Sequence, residues 1–191
     1  MIQNRKAESL QNNSVRVLGI DPSLQQPGFA VLEVFNRSVV CLYSLAVKMP
    51  SKTKSVRLRG SYERESNRLL DISVNLSQIL DRFRPRYIAM EAMPFGSRRL
   101  ETLSMVVGAL LLRLAYAGLS DEIYYYYPSS IKKRLTGDGK AEKKAVCEAV
   151  QNSLSEMFEF GTYDESDAAA VALCFIRDRF CKEIFTSDKN M

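Results

Sequence analysis

An α/β fold on a five-stranded mixed sheet, with strands 1–3 antiparallel, strands 4 and 5 parallel and helices flanking the sheet, is what this sequence predicts. Three observations carry it. Val15 to Val47 holds three short apolar runs separated by turn residues. A long helical period then leads to a second buried run, Tyr87 to Ala92, and the rest of the chain sets one more short strand pattern among helical ones.

Each element follows from local chemistry. Val15 to Ile20 is a strand, and Gly28 to Phe35 a second one after the Pro27-Gly28 turn. Val39 to Val47 is a third, rich in β-branched and apolar residues, and the short link Asn36-Arg37-Ser38 makes it a hairpin partner of the second. A long helix is expected from about Arg57 to Phe83, where Leu69, Ile72, Leu76, Ile79, Leu80 and Phe83 recur at helical spacing before Pro85 ends it. Strand, helix and strand Tyr87 to Ala92 imply a right-handed crossover, which lays the new strand parallel to the first.

Leu100 to Leu119 reads as a strongly apolar helix whose wide apolar face suits the core, with part of it available to a second subunit. Ile123 to Tyr127 is the fifth strand, and its four tyrosines alternate between faces, as packing or edge residues do. A short helix over Ser129 to Leu135, a turn at Gly137-Asp138-Gly139, a helix over Lys140 to Leu154 and a last helix over Tyr163 to Lys182 complete the chain.

At 191 residues, 46% of them hydrophobic, the chain supports one sizeable core. A single domain over 15–183 is expected, with 1–14 a disordered polar tail and 184–191 a flexible one. No apolar run approaches a bilayer span and the leader lacks a signal-peptide core, so a cytoplasmic protein is expected, with no membrane partner. Cys41, Cys147, Cys174 and Cys181 show no close pairing and read as reduced thiols. There is no histidine, which removes serine triads, Cys-His nucleophiles and zinc-His sites. Catalysis is left to carboxylates, lysines or metal.

The net charge of +5 favours a polyanionic partner. Lys48, Lys52, Lys54, Arg57 and Arg59 crowd one segment, and Lys132, Lys133, Arg134, Lys140, Lys143 and Lys144 another. Either is a solvated face or a grip on a phosphate backbone. The glycine-lysine stretch lacks the spacing of a nucleotide-cradling P-loop.

Three acids or acid pairs stand out. Asp21 closes the first strand in Gly19-Ile20-Asp21-Pro22, where turn chemistry and ligation are equally good explanations. Glu91 repeats the pattern at the end of the parallel strand, so both acids emerge at one sheet edge. Asp164 and Asp167 share a face in the first turn of the last helix, where dipole and capping effects also favour acids. Ala168, Ala169, Ala170 and Ala172 let that helix press close to the sheet and bring the pair to the same edge. Four carboxylates around one point repel unless cations neutralise them, and oxygen ligands alone suit Mg²⁺ or Mn²⁺. Phosphodiester hydrolysis by two such ions needs no other protein chemistry, with Asp21 as the natural bridging ligand and Lys143 stabilising extra phosphate charge.

The ordered set Gly19-Ile20-Asp21-Pro22, Ala89-Met90-Glu91, Lys132, Gly137-Asp138-Gly139-Lys140-Ala141-Glu142-Lys143 and Asp164-Glu165-Ser166-Asp167-Ala168 resembles the RuvC family of Holliday-junction resolvases. The match runs over about residues 15–180. It implies an RNase H-like fold, a homodimer, and metal-dependent cutting of branched DNA, with four-way junctions as substrate and a branch-migration or replication protein as further partner.

By position, Asp21, Glu91, Asp164 and Asp167 look like the family's metal-binding carboxylates, and Lys132 and Lys143 like its lysines beside the scissile strand. Phe95 falls near the family's base-stacking aromatic. Phe95, Arg98, Arg99, Lys132, Lys133, Lys140, Lys143 and Lys144 form the expected DNA-binding set. Ser23 stands where the family often has glycine, the last acidic cluster has no histidine, and the loop Lys48 to Gly60 is long and basic, features that suit a divergent, phage or mobile-element member. Two alternatives share these acids: a nuclease of forks, flaps or RNA–DNA hybrids, and a non-catalytic branched-DNA-binding module. An actin-like ATPase shares the strand-end aspartate, but 191 residues are too few for its duplicated domains.

Overall fold

Hydrophobic alternation along the first strand decides how the molecule is layered. In β1 (Val15–Asp21), Val17 packs with one buried cluster and Leu18 and Ile20 with the other, so odd-numbered positions face one side of the sheet and even-numbered ones the other. In the computed structural model, which describes residues 14–23, 26–48, 60–93 and 100–184, this strand lies at the centre of a five-stranded sheet. The remaining strands are β2 (Gly28–Phe35), β3 (Ser38–Ala46), β4 (Tyr87–Glu91) and β5 (Ile123–Tyr126). Their order is β3-β2-β1-β4-β5. β1, β2 and β3 pair antiparallel, whereas β4 runs parallel to β1 and β5 parallel to β4, as expected.

The helices divide between the two faces. α1 (Gly60–Phe83) and α2 (Leu100–Tyr116) cover one face, packing Ile72, Leu76, Val106 and Leu110 on Leu18, Ile20, Ile88 and Met90. α3 (Pro128–Thr136), α4 (Lys143–Gln151) and α5 (Tyr163–Ile184) cover the other, where Ala168 to Ala172 lie on Val17, Ala30, Leu32 and Ala89. Tyr124 also faces α5, its ring centroid 4.6 Å from that of Phe175, while Tyr125 is exposed. Among the described residues no helix is long and apolar enough to cross a membrane.

The boundaries differ from the expected ones where turn chemistry intervenes. The β2–β3 hairpin closes on two residues, Asn36 and Arg37, both with positive φ, the conformation that follows strand twist in a tight turn. α2 stops at Tyr116, not Leu119, because Gly118 enters the left-handed region and Leu119 N–H donates back to the Leu114 carbonyl. α4 starts at Lys143, not Lys140: the Asp138 carboxylate accepts from the Lys140 N–H and its carbonyl from the Ala141 N–H, holding 138–141 as a turn. Lys143 thereby becomes the first residue of α4. Cys41, Cys147 and Cys174 are free thiols.

Candidate active site

Asp21 and Glu91 reach the same place because strand register and pleat agree. Ile20 pairs with Met90 in the parallel β1–β4 ladder, and one residue further on stand the two acids. Asp21 is in phase with Val17 and Gly19, and Glu91 with Tyr87 and Ala89, all on the face that α5 covers. The first turn of α5 brings Asp164 and Asp167 to that edge. One carboxylate oxygen from each of Asp21, Asp164 and Asp167 lies within 4.8 Å of the others.

Two glycines allow this approach. A Cβ on Gly19 would overlap the Ala168 carbonyl, and one on Gly28 would overlap the Asp164 carbonyl. The sheet is bare at both points, and the α5 backbone rests directly on it. Facing alanines alone, as read from the sequence, are only half of the contact.

Glu165 is a second feature that sequence reasoning passed over. Its carboxylate accepts from Ser44 Oγ of β3 and from the Gly161 N–H, while its own N–H donates to Thr162 Oγ1. Thr162 and Glu165 have the spacing of a capping box, which was the available signal. The bond to Ser44 ties the turn carrying Asp164 to the edge strand β3.

Electrostatics set the character of the site. Burial first, then the charges of Glu91, Asp167 and Asp164, hold the Asp21 carboxyl well above the usual carboxylate range. Burial and Asp167 push Glu91 up to about 7, against the lowering influence of Lys143 and Lys132. Asp167 is raised by burial, partly offset by its hydrogen bond from Lys143. Lys143 Nζ stands 3.1 Å from Asp164 Oδ1 and 2.9 Å from Asp167 Oδ2. Burial lowers its pKa, but those hydrogen bonds and charges outweigh burial and leave it raised.

The expected residues do not all converge. Glu91 acts on Asp21 through its charge but stands outside the three-carboxylate cluster. Lys143 is at the acids, and the charge of Lys132, on α3, acts on Glu91 and Asp167. Lys144 turns along its own helix toward Glu148, 3.9 Å away. Lys133 and Lys140 are exposed on the α3–α4 segment. Phe95, Arg98 and Arg99 lie outside the described residues, as do Lys52, Lys54, Arg57 and Arg59 of the basic loop.

The donor set fits a hard divalent cation. It is oxygen only and anionic, with Asp21 buried and Asp164 and Asp167 half-buried, and burial together with the neighbouring carboxylates pushes the central carboxyl toward protonation, a strain that a cation would relieve. Such a centre beside lysines can bind a phosphodiester and support its hydrolysis.

Comparison with known proteins agrees with this chemistry. The family model for crossover junction endodeoxyribonuclease RuvC matches residues 17–175. The crossover junction endodeoxyribonuclease RuvC of Prochlorococcus marinus subsp. pastoris is 31% identical over 159 residues, which span 83% of this chain and 94% of that one. The solved structure of Thermus thermophilus RuvC superposes with a TM-score of 0.67 at 26% identity, covering 86% of this chain and 96% of that one. T. thermophilus RuvC in complex with a Holliday junction substrate superposes with a TM-score of 0.66 at 28% identity, covering 83% and 91%. The sheet described above is the RNase H-like sheet of those structures.

Proposed function

Because this chain belongs to the RuvC family of crossover junction endodeoxyribonucleases, we propose that it resolves Holliday junctions by metal-dependent hydrolysis of paired phosphodiesters. The observation that carries the reading is the gathering of Asp21, Asp164 and Asp167 within 4.8 Å at the mouth of the central strand, with Lys143 beside them. Asp21, Asp164 and Asp167 would hold Mg²⁺ or Mn²⁺, with Glu91 as the fourth carboxylate and two ions as the full complement. When bound, the metal supplies activation of water and stabilisation of the leaving oxygen.

The chain's own residues do the rest. Asp21 is held on the central strand of a packed sheet, so its position does not depend on a loop. Asp164 and Asp167 are set by α5, whose depth on the sheet is fixed at Gly19 and Gly28. Lys143 offers a positive charge to the scissile phosphate, where negative charge grows as water attacks phosphorus in line with the departing 3′ oxygen. Lys132 and Lys133 of α3, Lys144 of α4 and Lys140 in the turn between them would contact the DNA backbone, as would Arg98 and Arg99, while Phe95 would stack on bases at the crossover.

Paired nicks in a symmetric junction require two sites, and a homodimer supplies them. Exposed Met105, Leu112 and Tyr116 on α2 support that assembly. The test offers purified protein labelled four-way junction, fork, flap, RNA–DNA hybrid and linear duplex side by side, with Mg²⁺ or Mn²⁺. Paired symmetric nicks in the four-way junction are expected. Equal cutting of linear duplex would overturn the reading, and preference for forks or hybrids would replace it with the broader nuclease.

A further inference from the structure

Asp178 lies on α5 well beyond the turn that carries Asp164 and Asp167. Its carboxylate accepts from two other elements. Tyr126 OH, at the end of β5, donates to Asp178 Oδ2 at 3.0 Å, and Arg134 Nη1, in the last turn of α3, donates to Asp178 Oδ1. The Arg134 guanidinium also sits 5.7 Å over the Tyr126 ring. Next to Asp178, Arg177 Nη1 donates to the Arg134 carbonyl at 3.0 Å, satisfying one of the open acceptors at the end of α3.

Each arm of this network leads back to the site. Tyr126 is the β5 partner of Glu91 in the parallel ladder, and its carbonyl accepts from the Ala92 N–H at 2.8 Å. Arg134 is two residues from Lys132 on a helix of only nine residues, so fixing the end of α3 fixes the lysine. An exposed ion pair alone adds little stability. This one joins β5, α3 and α5, the elements beside Glu91, Lys132 and the aspartate pair.

We propose that Asp178 is a positioning residue that acts through Lys132, holding the end of α3, and with it the lysine two residues away from Arg134, at its place beside the catalytic edge. The proposal rests on the resolvase reading above. The experiment is a double-mutant cycle in the full chain, with Asp178→Asn, Lys132→Ala and the pair, read by single-turnover cleavage of a four-way junction, junction affinity and thermal unfolding.

Asp178→Asn is expected to slow cleavage about tenfold at saturating junction with little change in affinity, as a slight misplacement of a catalytic group does. In the Lys132→Ala background it should add no more than about twofold, since the group it positions is gone. Asp178→Glu should recover part of the rate. Penalties that multiply in the double variant would overturn the proposal, as would full activity of Lys132→Ala or of Asp178→Asn. Should Asp178→Asn unfold, Tyr126→Phe, which removes one hydroxyl, replaces it with the same criteria. A wild-type protein that leaves the four-way junction intact overturns the functional reading itself, a result distinct from each of the others.

Discussion

The Lys143 ammonium lies 2.9 Å from Asp167 Oδ2 and reaches Asp164 Oδ1 at 3.1 Å, so a side chain of α4 neutralises the acid pair of α5. The same carboxylates are the ones a divalent cation would use. Ammonium and metal therefore compete for one pair of acids. Lys143→Met should lower the melting temperature of the metal-free protein and enlarge the stabilisation gained on adding Mg²⁺. Cleavage should fall about 10²-fold, the scale for removing a group that stabilises transition-state charge. Melting curves with and without metal check this, and an unchanged metal-induced shift would count against the competition.

Asp21 is held among three other carboxylates in a buried setting, an arrangement that costs stability until a cation relieves it. Asp21→Asn should leave the metal-free protein folded and at least as heat-stable as the wild type. Metal-dependent cleavage should drop by about 10³-fold or more, in line with loss of a central catalytic interaction. Full cleavage by a folded Asp21→Asn protein would remove the basis of the site.

Glu91 makes a pH signature. Its folded-state value of about 7 lies above the ordinary 4.5, so its protonation stabilises the fold. That contribution is complete below pH 4.5 and is lost as pH rises through 7; Asp21 and Asp167 are raised as well and act in the same direction. Metal-free protein in chelator should lose stability between pH 5 and pH 8 on this account, and Glu91→Gln should flatten the loss. Saturating Mg²⁺ should flatten it too, because cation binding favours the ionised carboxylates. Thermal melts across this range decide the point.

Gly28 tests how tightly the aspartate pair is set. A methyl group there meets the Asp164 carbonyl, which belongs to backbone and cannot swing aside. Gly28→Ala should destabilise the fold by about 3 kcal/mol, at the upper end for overpacking, and lower metal affinity through displacement of the first turn of α5. Gly108→Ala, on α2 with open space around the added methyl, should be neutral or slightly stabilising. Denaturant unfolding and metal titration of the two variants separate a local collision from a general effect of replacing glycine.

Much of this arrangement was legible in the residue order. Alternation and helical period are local properties, so the strands, the long helices and the crossover from β1 to β4 could be read from neighbours in sequence. The strand-end positions of Asp21 and Glu91 followed from the same patterns, as did the shared helical face of Asp164 and Asp167 and the need for small residues behind them. Helix ends at Gly118 and Asp138 were less visible, since each depends on one residue's backbone conformation or one side-chain bond.

Tertiary structure alone decided the distances. Whether Glu91 joins the three aspartates or stands beside them depends on where α5 comes to rest, and that is set by Gly19 and Gly28 meeting carbonyls more than a hundred residues away in sequence. The ion pairs of Lys143 depend on α4 starting at that residue and packing on α5. The link from Asp178 to Tyr126 and Arg134 joins three elements that no local period connects. Chemical type and approximate edge are written in the sequence because they follow from short-range patterning. The site itself is a set of separations of a few ångströms, and those exist only once sheet register and helix docking have been chosen together.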